Sequence, residues 1–283
     1  MEAYDQALSG ISVATIIRGF FARWKLFAAT LGILWVLGLL YILLTPSQYE
    51  ASADFTYVSQ SYETPAPSGI AALASTVGLG GSTSAERSVA IATLRSRQLA
   101  QDFVTKYGLL PFLFPEAWDS ERKAWKDDAK KPSPRDGADR LRPMITIIDN
   151  SDTNLISLTM RMDDQRRVAP LVNAYVQMAD DVLRHRSLND NQESLAYLED
   201  ELTKTNVAEL RLSITNLIEQ ALQQITMTKT RSNYAFNVVD AAVVPKARVW
   251  PRAGLLMAIM TLLGIFAAMF ISGALDLREN GHI

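Results

Sequence analysis

Two long apolar runs frame the chain. Leu26–Tyr49 ("LFAATLGILWVLGLLYILLTPSQY") and Ala253–Leu275 ("AGLLMAIMTLLGIFAAMFISGAL") carry no formal charge. About 20 apolar residues suffice for a helix to cross a bilayer core. The first run begins too late and extends too far for a cleaved secretory signal, although Ala51-Ser52-Ala53 offers small residues of the kind found at cleavage sites. The pattern therefore predicts transmembrane helices over 26–45 and 253–275, the first ended by Thr45-Pro46. Residues 1–25, with "IIRGFFARWKLF" leading into the span, predict a short amphipathic segment on the inner membrane face.

Between the runs, the hydrophobic period changes several times. "YEASADFTYVS" alternates, placing Tyr49, Ala51, Ala53, Phe55 and Tyr57 on one face of a strand. The Gly-, Ser-, Ala- and Pro-rich stretch "ETPAPSGIAALASTVGLGGSTS" predicts a loop, with room for a short helix at Ile70–Val77. Ser84 is placed to cap a helix that runs to about Tyr107 and is ended by Gly108. Residues 111–143, aromatic at first and then rich in charge and proline, predict a surface excursion with a short helix near Ser120–Asp128. "MITIIDN" and "LISLTMRM" predict a hairpin that turns at "SDT". "YAFNVVDAAVV" predicts a final strand, ended by Pro245, which closes a sheet with 51–58 and the 144–161 hairpin.

The longest feature follows Asp163 or Asp164, either of which can act as its N-cap. Apolar residues recur at helical spacing at Val168, Leu171, Val172 and Tyr175, and again from Leu195, Leu198 and Leu202 to Leu222 and Ile225. No glycine interrupts the stretch from Gln165 to about Lys229. Roughly 60 residues at 1.5 Å each would make a rod of roughly 90 Å if unbroken. "RSLNDNQES" is its weakest point. A helix with an incomplete apolar face seeks a partner helix, in its own chain or a neighbouring one.

Charge sets sidedness. Arg18, Arg23 and Lys25 precede the first span, and Glu50 and Asp54 follow it. The positive-inside rule then places both termini in the cytoplasm and 46–252 outside it. The second span disagrees locally, with Lys246, Arg248 and Arg252 on its outer flank and Arg278 on its inner one. The first span inserts first and is given precedence. A formal net charge of −2 leaves no basic footprint for nucleic acid.

Catalytic chemistry finds little support. The absence of cysteine removes disulfides, thiolate nucleophiles and Cys-ligated metals. His185 stands beside Arg184 and Arg186, and His282 lies in the tail, so no histidine cluster forms. The paired carboxylates Asp163-Asp164 and Asp180-Asp181 point apart on a helix and suit caps and solvated charge. "GLGG" at 78–81 lacks the lysine of a phosphate-binding loop, and no nucleophile motif is present. No catalytic, cofactor-binding or metal site is expected. Two other sets stand out. Pro46, Pro245, Pro251 and Arg252 mark the approaches to the membrane, with Pro251 placed in the first turn of the second span, where its missing N–H costs nothing. Gly32, Gly38, Gly264, Ala268 and Gly273 are small residues of the kind that let spans pack closely. The aromatics of "LLPFLFPEAW" suit a local mini-core or a contact surface.

Taken together, these parts resemble the chain-length determinant (Wzz-type) polysaccharide co-polymerases of bacterial inner membranes. The resemblance covers nearly the whole chain. It rests on the first span followed by Pro46 and the "YEASA" strand, the "LRSRQLAQDFV" helix, the hairpin, and the long helix with "LEDELTKTNVAELRLSITNLIEQAL". Its most specific element is "AFNVVDAAVVPKARVWPRAGLL", a strand, an Ala-x-x-Pro turn and a proline-rich start to the second span. The fold class implied is an α/β membrane protein. Two transmembrane helices flank a periplasmic α/β domain (46–252) with a membrane-proximal sheet and a long, extended helix, and 276–283 form a cytoplasmic tail without a fused kinase.

The resemblance further implies a non-catalytic regulator of the chain length of O-antigen or a related surface polysaccharide, without a cofactor. Its partners would be further copies in a ring, a separate membrane polymerase, the bilayer, and the polysaccharide or its lipid-linked precursor. An inner-membrane adaptor for capsule or exopolysaccharide export is the alternative, which a longer rod would favour. A periplasmic sensor is weaker, because "DLRENGHI" is short for a signalling domain.

Overall fold

The computed structural model describes residues 24–58, 83–127 and 130–280. Most of the N-terminal segment 1–25, the Ile70–Val77 helix and "GLGG" lie outside these residues. The chain divides into an α/β unit, Glu50–Lys246, and a unit formed by the flanking segments Met1–Tyr49 and Ala247–Ile283.

The α/β unit is built on a four-stranded sheet of order β4-β5-β1-β6. Strand β1 (Tyr49–Tyr57) buries Ala51, Ala53 and Phe55, as its alternation predicts. It pairs antiparallel with β6 (Phe236–Asp240), Tyr57 lying opposite Phe236, with an irregularity between Asp54 and Phe55. The Phe55 and Phe236 rings meet edge-to-face at 5.0 Å. β4 (Ile145–Asn150) and β5 (Leu155–Met162) form the hairpin, which closes with Asn154 at φ 56°. Ile156, Leu158, Met160 and Met162 project from β5 into the core.

That core is covered by α6 (Gln165–Lys204), whose first half buries Val168, Val172, Tyr175, Val176 and Ala179. Asp164, one of the two expected caps, begins α6: its carboxylate accepts the N–H groups of Arg166 at 2.9 Å and Arg167 at 3.2 Å. Pro170 lies inside the helix, near its start. α6 continues through it at the cost of one backbone hydrogen bond.

The run that the sequence left open as one rod or several pieces is two helices. It stays helical through "RSLNDNQES", its expected weak point, breaks at Thr205–Val207 and folds back on itself. Within "RSLNDNQES" the polar side chains bond carbonyls one turn earlier: the Asn191 amide donates to Ser187 O at 2.7 Å and the Ser194 hydroxyl to Asp190 O at 2.9 Å. The helix nevertheless stays continuous through the segment. Beyond the break, Arg211 donates to the carbonyls of Leu202 and Thr205, both at 3.1 Å. The second helix, α7 (Ala208–Thr230), then returns antiparallel along α6. Its buried positions Ile214, Ala221, Ile225 and Thr228 meet half-buried Leu188, Leu195, Leu198 and Leu202 on α6, both at coiled-coil spacing. At 1.5 Å per residue α6 is about 60 Å long and α7 about 35 Å, both shorter than the extended rod.

Asp180 fixes the return. Its carboxylate, buried to 6% exposure, accepts the consecutive N–H groups of Tyr234, Ala235 and Phe236 at 2.6–3.0 Å. It also pairs with Arg184 at 3.0 Å, and Arg184 donates to Ser232 O at 2.6 Å. β6 is therefore shorter than expected, ending at Asp240 and not at Pro245. The Asn173 side chain takes both backbone groups of Ala242, donating to its oxygen at 2.9 Å and accepting its N–H at 2.8 Å. That pairing replaces the strand ladder.

The predicted helix from Ser84 to Tyr107 is two helices, α2 (Thr83–Leu94) and α3 (Arg97–Lys106). Ser96 caps α3 with its side chain, accepting Leu99 N–H at 3.1 Å. Gly108, at φ +59°, ends α3 in the left-handed conformation that a glycine adopts without strain. The N–H groups of Gly108 and Leu109 then satisfy the carbonyls of Thr105 and Val104.

The excursion over 111–143 is better built than its composition suggested. It contains α4 (Leu110–Leu113), a hairpin of β2 (Trp118–Asp119) and β3 (Ala124–Trp125), and α5 (Pro134–Leu141). The hairpin occupies the place of the predicted helix at Ser120–Asp128. Asp119 accepts the N–H groups of Glu121 and Arg122, making an Asx turn, and Trp118 and Trp125 pack at 5.0 Å across it. Ser133 and Asp136 form a capping box on α5. The bonds from the Ser133 hydroxyl and N–H hold the Asp136 carboxyl below the usual range. This cap is therefore complete at neutral pH and is lost as pH falls through that lowered value. Leu109, Leu113, Ala138 and Leu141 form a small core beside α3.

Two substitutions test this architecture in the full chain, through thermal unfolding followed by circular dichroism. Asp180→Ala leaves Arg184 without its carboxylate and three backbone N–H groups without an acceptor, and destabilises by about 3–5 kcal/mol. Gly137→Val places a Cβ 2.7 Å from Val104 Cγ1 and 2.8 Å from Leu110 Cδ2. It costs about 1–3 kcal/mol by overpacking. Wild-type melting for either variant would contradict the corresponding contact.

Candidate membrane anchor and assembly surface

In the flanking unit, α1 (Trp24–Leu44) packs against α8 (Ala253–Asn280). Within α8, Ala253–Ile271 is long and apolar enough to cross a membrane, and Ala28–Leu44 of α1 is a shorter apolar stretch. Leu31 and Leu34 lie against Gly264, while Gly38 lies against Leu256, Met257 and Met260. Positions rise along one helix as they fall along the other, so the pair is antiparallel. The Trp35 indole N–H donates to the Thr261 hydroxyl at 3.1 Å. In an apolar surround, such a bond satisfies a donor that lipid cannot.

The small residues singled out in the sequence divide accordingly. A Cβ on Gly264 would lie 2.8 Å from Leu31 Cδ1, and one on Gly38 would lie 3.2 Å from Met260 Cγ. Ala268, one turn beyond Gly264, is 3% exposed. Gly32 has no neighbour within 4 Å of its would-be Cβ and stands off this contact. Gly273 lies within α8.

Three of the four membrane-approach residues fall in the same unit. α1 ends at Leu44, and Pro46 follows in an exposed position. The backbone then bridges between the two segments, Gln48 N–H donating to Trp250 O at 2.9 Å and Val249 N–H to Gln48 O at 2.8 Å. Pro251 is buried but precedes α8 by two residues, and does not occupy its first turn as expected. Its ring closes the extended approach, and the Arg252 carbonyl accepts the first helical bond, from Leu256 N–H at 3.0 Å. The Arg252 side chain is exposed. Pro245 belongs to the α/β unit, where its carbonyl accepts from the Gln165 amide at 2.8 Å.

The candidate assembly surface is the α6–α7 hairpin. α7 is apolar around more of its circumference than the seam with α6 uses. Leu212 is 65% exposed and Leu222 48% exposed, and both fall on faces turned away from the buried row. Tyr197 of α6 is exposed as well. A helix with apolar residues on several faces is suited to burial against more than one partner. The aromatics of "LLPFLFPEAW", in contrast, are occupied locally. Leu113 is buried, and the Phe114 ring sits 4.8 Å from the Arg140 guanidinium, which also pairs with Glu116 at 2.5 Å.

The carboxylates first weighed for acid–base chemistry have structural roles: Asp164 caps a helix and Asp180 holds the return strand. Among the described residues, no group of three or more His, Asp or Glu side chains is placed to hold a metal ion. Tyr57 donates to Glu86 at 3.2 Å, and burial, reinforced by that carboxylate, keeps its phenol protonated well above the usual range. Sequence reasoning missed the anchoring function of Asp180. A carboxylate beside a cation one helical turn on is a common surface pattern, and its three backbone partners lie more than fifty residues away in the chain.

No protein-family model matches the chain, and no curated protein matches it in sequence. Solved structures do. The fold is that of a full-length bacterial polysaccharide co-polymerase, which it matches at a TM-score of 0.50 and 12% identity over 96% of this chain and 99% of that one. Two further structures align at lower scores. One is a fragment of WzzB, a polysaccharide co-polymerase from Salmonella Typhimurium, with a TM-score of 0.34 and 14% identity over 72% of this chain and 100% of that one. The other is a mutant of a Shigella flexneri lipopolysaccharide O-antigen chain-length regulator, with a TM-score of 0.27 and 10% identity over 71% of this chain and 99% of that one.

Cysteine cross-linking tests the helix pair, on a chain whose lack of cysteine removes background. Trp35→Cys with Thr261→Cys is expected to cross-link within one chain through a short bis-methanethiosulfonate reagent, which fills the space left by the indole. Adding Gly264→Leu should sharply lower the yield, whereas adding Gly32→Leu should leave it unchanged. Equal effects of the two leucines would refute the assigned contact face.

Proposed function

We propose that this chain is a non-catalytic regulator of polysaccharide chain length, anchored in a bacterial inner membrane and acting with a separate polymerase. The observation that carries this reading is the match of fold along nearly the full length of both this chain and a polysaccharide co-polymerase. The commitment of the conspicuous carboxylates to capping and strand anchoring supports a role without bond chemistry.

In this reading α1 and α8 are two spans, over about 26–45 and 253–275. Both termini lie in the cytoplasm, and 46–252 form the periplasmic domain. The close antiparallel pairing of α1 with α8 supports two spans, because it gives the shorter apolar stretch of α1 a partner along its length. Gly38, Gly264 and Ala268 then hold the anchor together, leaving Gly32 available to a polymerase helix.

The working form is a homo-oligomer, with a ring as the expected arrangement. The outward apolar residues of α7 support it, since a neighbouring copy is a natural cover for Leu212 and Leu222. Assembly would set chain length by organising polymerases around the spans or by holding the growing polymer along the periplasmic surface. Export adaptation remains the second reading. It is less favoured because the long helix folds back at Thr205–Val207 and so gives a shorter reach than an unbroken rod.

Deletion of the gene, with surface polysaccharide separated by size, tests the assignment. The expected outcome is polymer that persists but loses its preferred length. Loss of surface polymer with accumulation inside the cell would transfer the assignment to export, and an unchanged profile would reject both. For assembly, Leu212→Glu combined with Leu222→Glu is expected to shift the detergent-solubilised protein to smaller species in light scattering. Unchanged mass would remove this face from the interface.

A further inference from the structure

A cleft of about 440 Å³ opens in the α/β unit between the end of α2, the end of α5 and the start of β4. It lies at the small end of the range for small-molecule sites. Leu94 and Tyr175 form part of its lining and are both 1% exposed. The Tyr175 hydroxyl donates to Leu94 O at 3.0 Å, which joins α6 to the end of α2 and commits the phenol. Burial keeps that phenol neutral, so it brings no negative charge. Pro143 and Ile145 add an apolar wall.

Two arginines line this one cleft, Arg95 and Arg142, and both are exposed to solvent. Arg95 spends one nitrogen on Ile147 O at 3.1 Å. Among the described residues, Arg142 has no side-chain hydrogen bond or ion pair. The carboxylate in the lining, Asp139, is already paired with Arg97 at 3.1 Å. Two cationic side chains therefore border one cleft whose lining carboxylate is already paired. An anion entering it meets two positive charges. A guanidinium presents planar pairs of donors that match the oxygens of a carboxylate or phosphate.

We infer that this cleft binds the carboxylate or phosphate of an acidic sugar unit, Arg142 and Arg95 gripping the anion while Pro143 and Ile145 pack against the ring. That the anion is carried on a sugar rests on the polysaccharide reading above, whereas the anion site itself does not. Arg142 is the principal binding residue, because its donors are uncommitted. Arg95 has two roles, holding the edge carbonyl of Ile147 and closing the site.

The test is calorimetric titration of the full-length protein in detergent with glucuronate, inorganic phosphate and glucose in separate runs. Glucuronate is expected to bind, more weakly at higher salt, and glucose is not. Arg142→Gln and Arg95→Gln should each weaken glucuronate binding by about tenfold or more. Arg142→Lys should recover part of the loss, and Arg122→Gln, on the separate β2–β3 hairpin, should bind as the wild type does. Wild-type melting curves identify the variants that have folded, and Arg142→Lys preserves the test if a neutral variant does not.

Equal behaviour of glucuronate and glucose, or affinity unchanged in both neutral variants, overturns the site. Phosphate bound as well as glucuronate through the same arginines retains the anion site and overturns its assignment to sugar. The two proposals fail separately. Polymer length unaffected by gene deletion, alongside arginine-dependent glucuronate binding, rejects chain-length control and keeps the cleft; the converse rejects the cleft alone.

Discussion

The α/β unit depends on a single buried carboxylate. Asp180 sits midway along a helix of 40 residues and accepts three successive backbone N–H groups from Tyr234 to Phe236. At that point the chain has travelled out along α6 and back along α7 and must enter the sheet in register with β1. Three N–H groups converging on one acceptor permit little sliding, and a slip of one residue would turn Phe236 away from Phe55. Arg184 neutralises the carboxylate and simultaneously holds Ser232 O, so the turn before the strand is fixed by the same pair. Burying such a pair is costly, and full hydrogen bonding of the carboxylate is what offsets the loss of water.

The same economy recurs wherever the chain leaves regular structure. Asn173 takes both backbone groups of Ala242 and Gln165 takes the carbonyl of Pro245. The segment after β6 is therefore held against α6 by side-chain amides without a strand ladder. Arg95 serves Ile147 on the edge strand β4 in a related way. Side chains from helices thus satisfy backbone groups that the sheet leaves unpaired, as buried or half-buried polar groups require.

Much of this architecture was legible in the sequence because periodicity reports burial directly. The alternation of Tyr49–Tyr57, the two strands of the hairpin, the cap at Asp164 and the apolar stretch Ala253–Ile271 all express one-sided or uniform apolar surroundings. What was not legible depended on polar contacts between distant segments. The break at Thr205–Val207 contains neither glycine nor proline, and its cause is the returning helix, with Arg211 collecting two carbonyls at the corner. The division of α2 from α3 depends on Ser96 acting as an N-cap, and a serine inside a helical pattern does not announce that role. Residues 111–143 misled by composition: their abundant charge concealed Leu109, Leu113, Ala138 and Leu141, too few for a clear period but enough for a small core. At the candidate anchor, small residues were visible at Gly38, Gly264 and Ala268, yet sequence could not separate them from Gly32, because a glycine without neighbours and one beneath a leucine read alike.

The hairpin divides the apolar residues of α7 between a seam and an outer face. α7 places Ile214, Ala221, Ile225 and Thr228 in the seam with α6, a row that contains two small or polar side chains. Such a seam permits close approach but buries modest apolar area, so α7 gains less from α6 than its leucine content would allow. Leu212 and Leu222 face outward. Ile214 and Ile225 supply the apolar part of the seam, and the break at Thr205 and the clamp at Asp180 hold the two ends of α7.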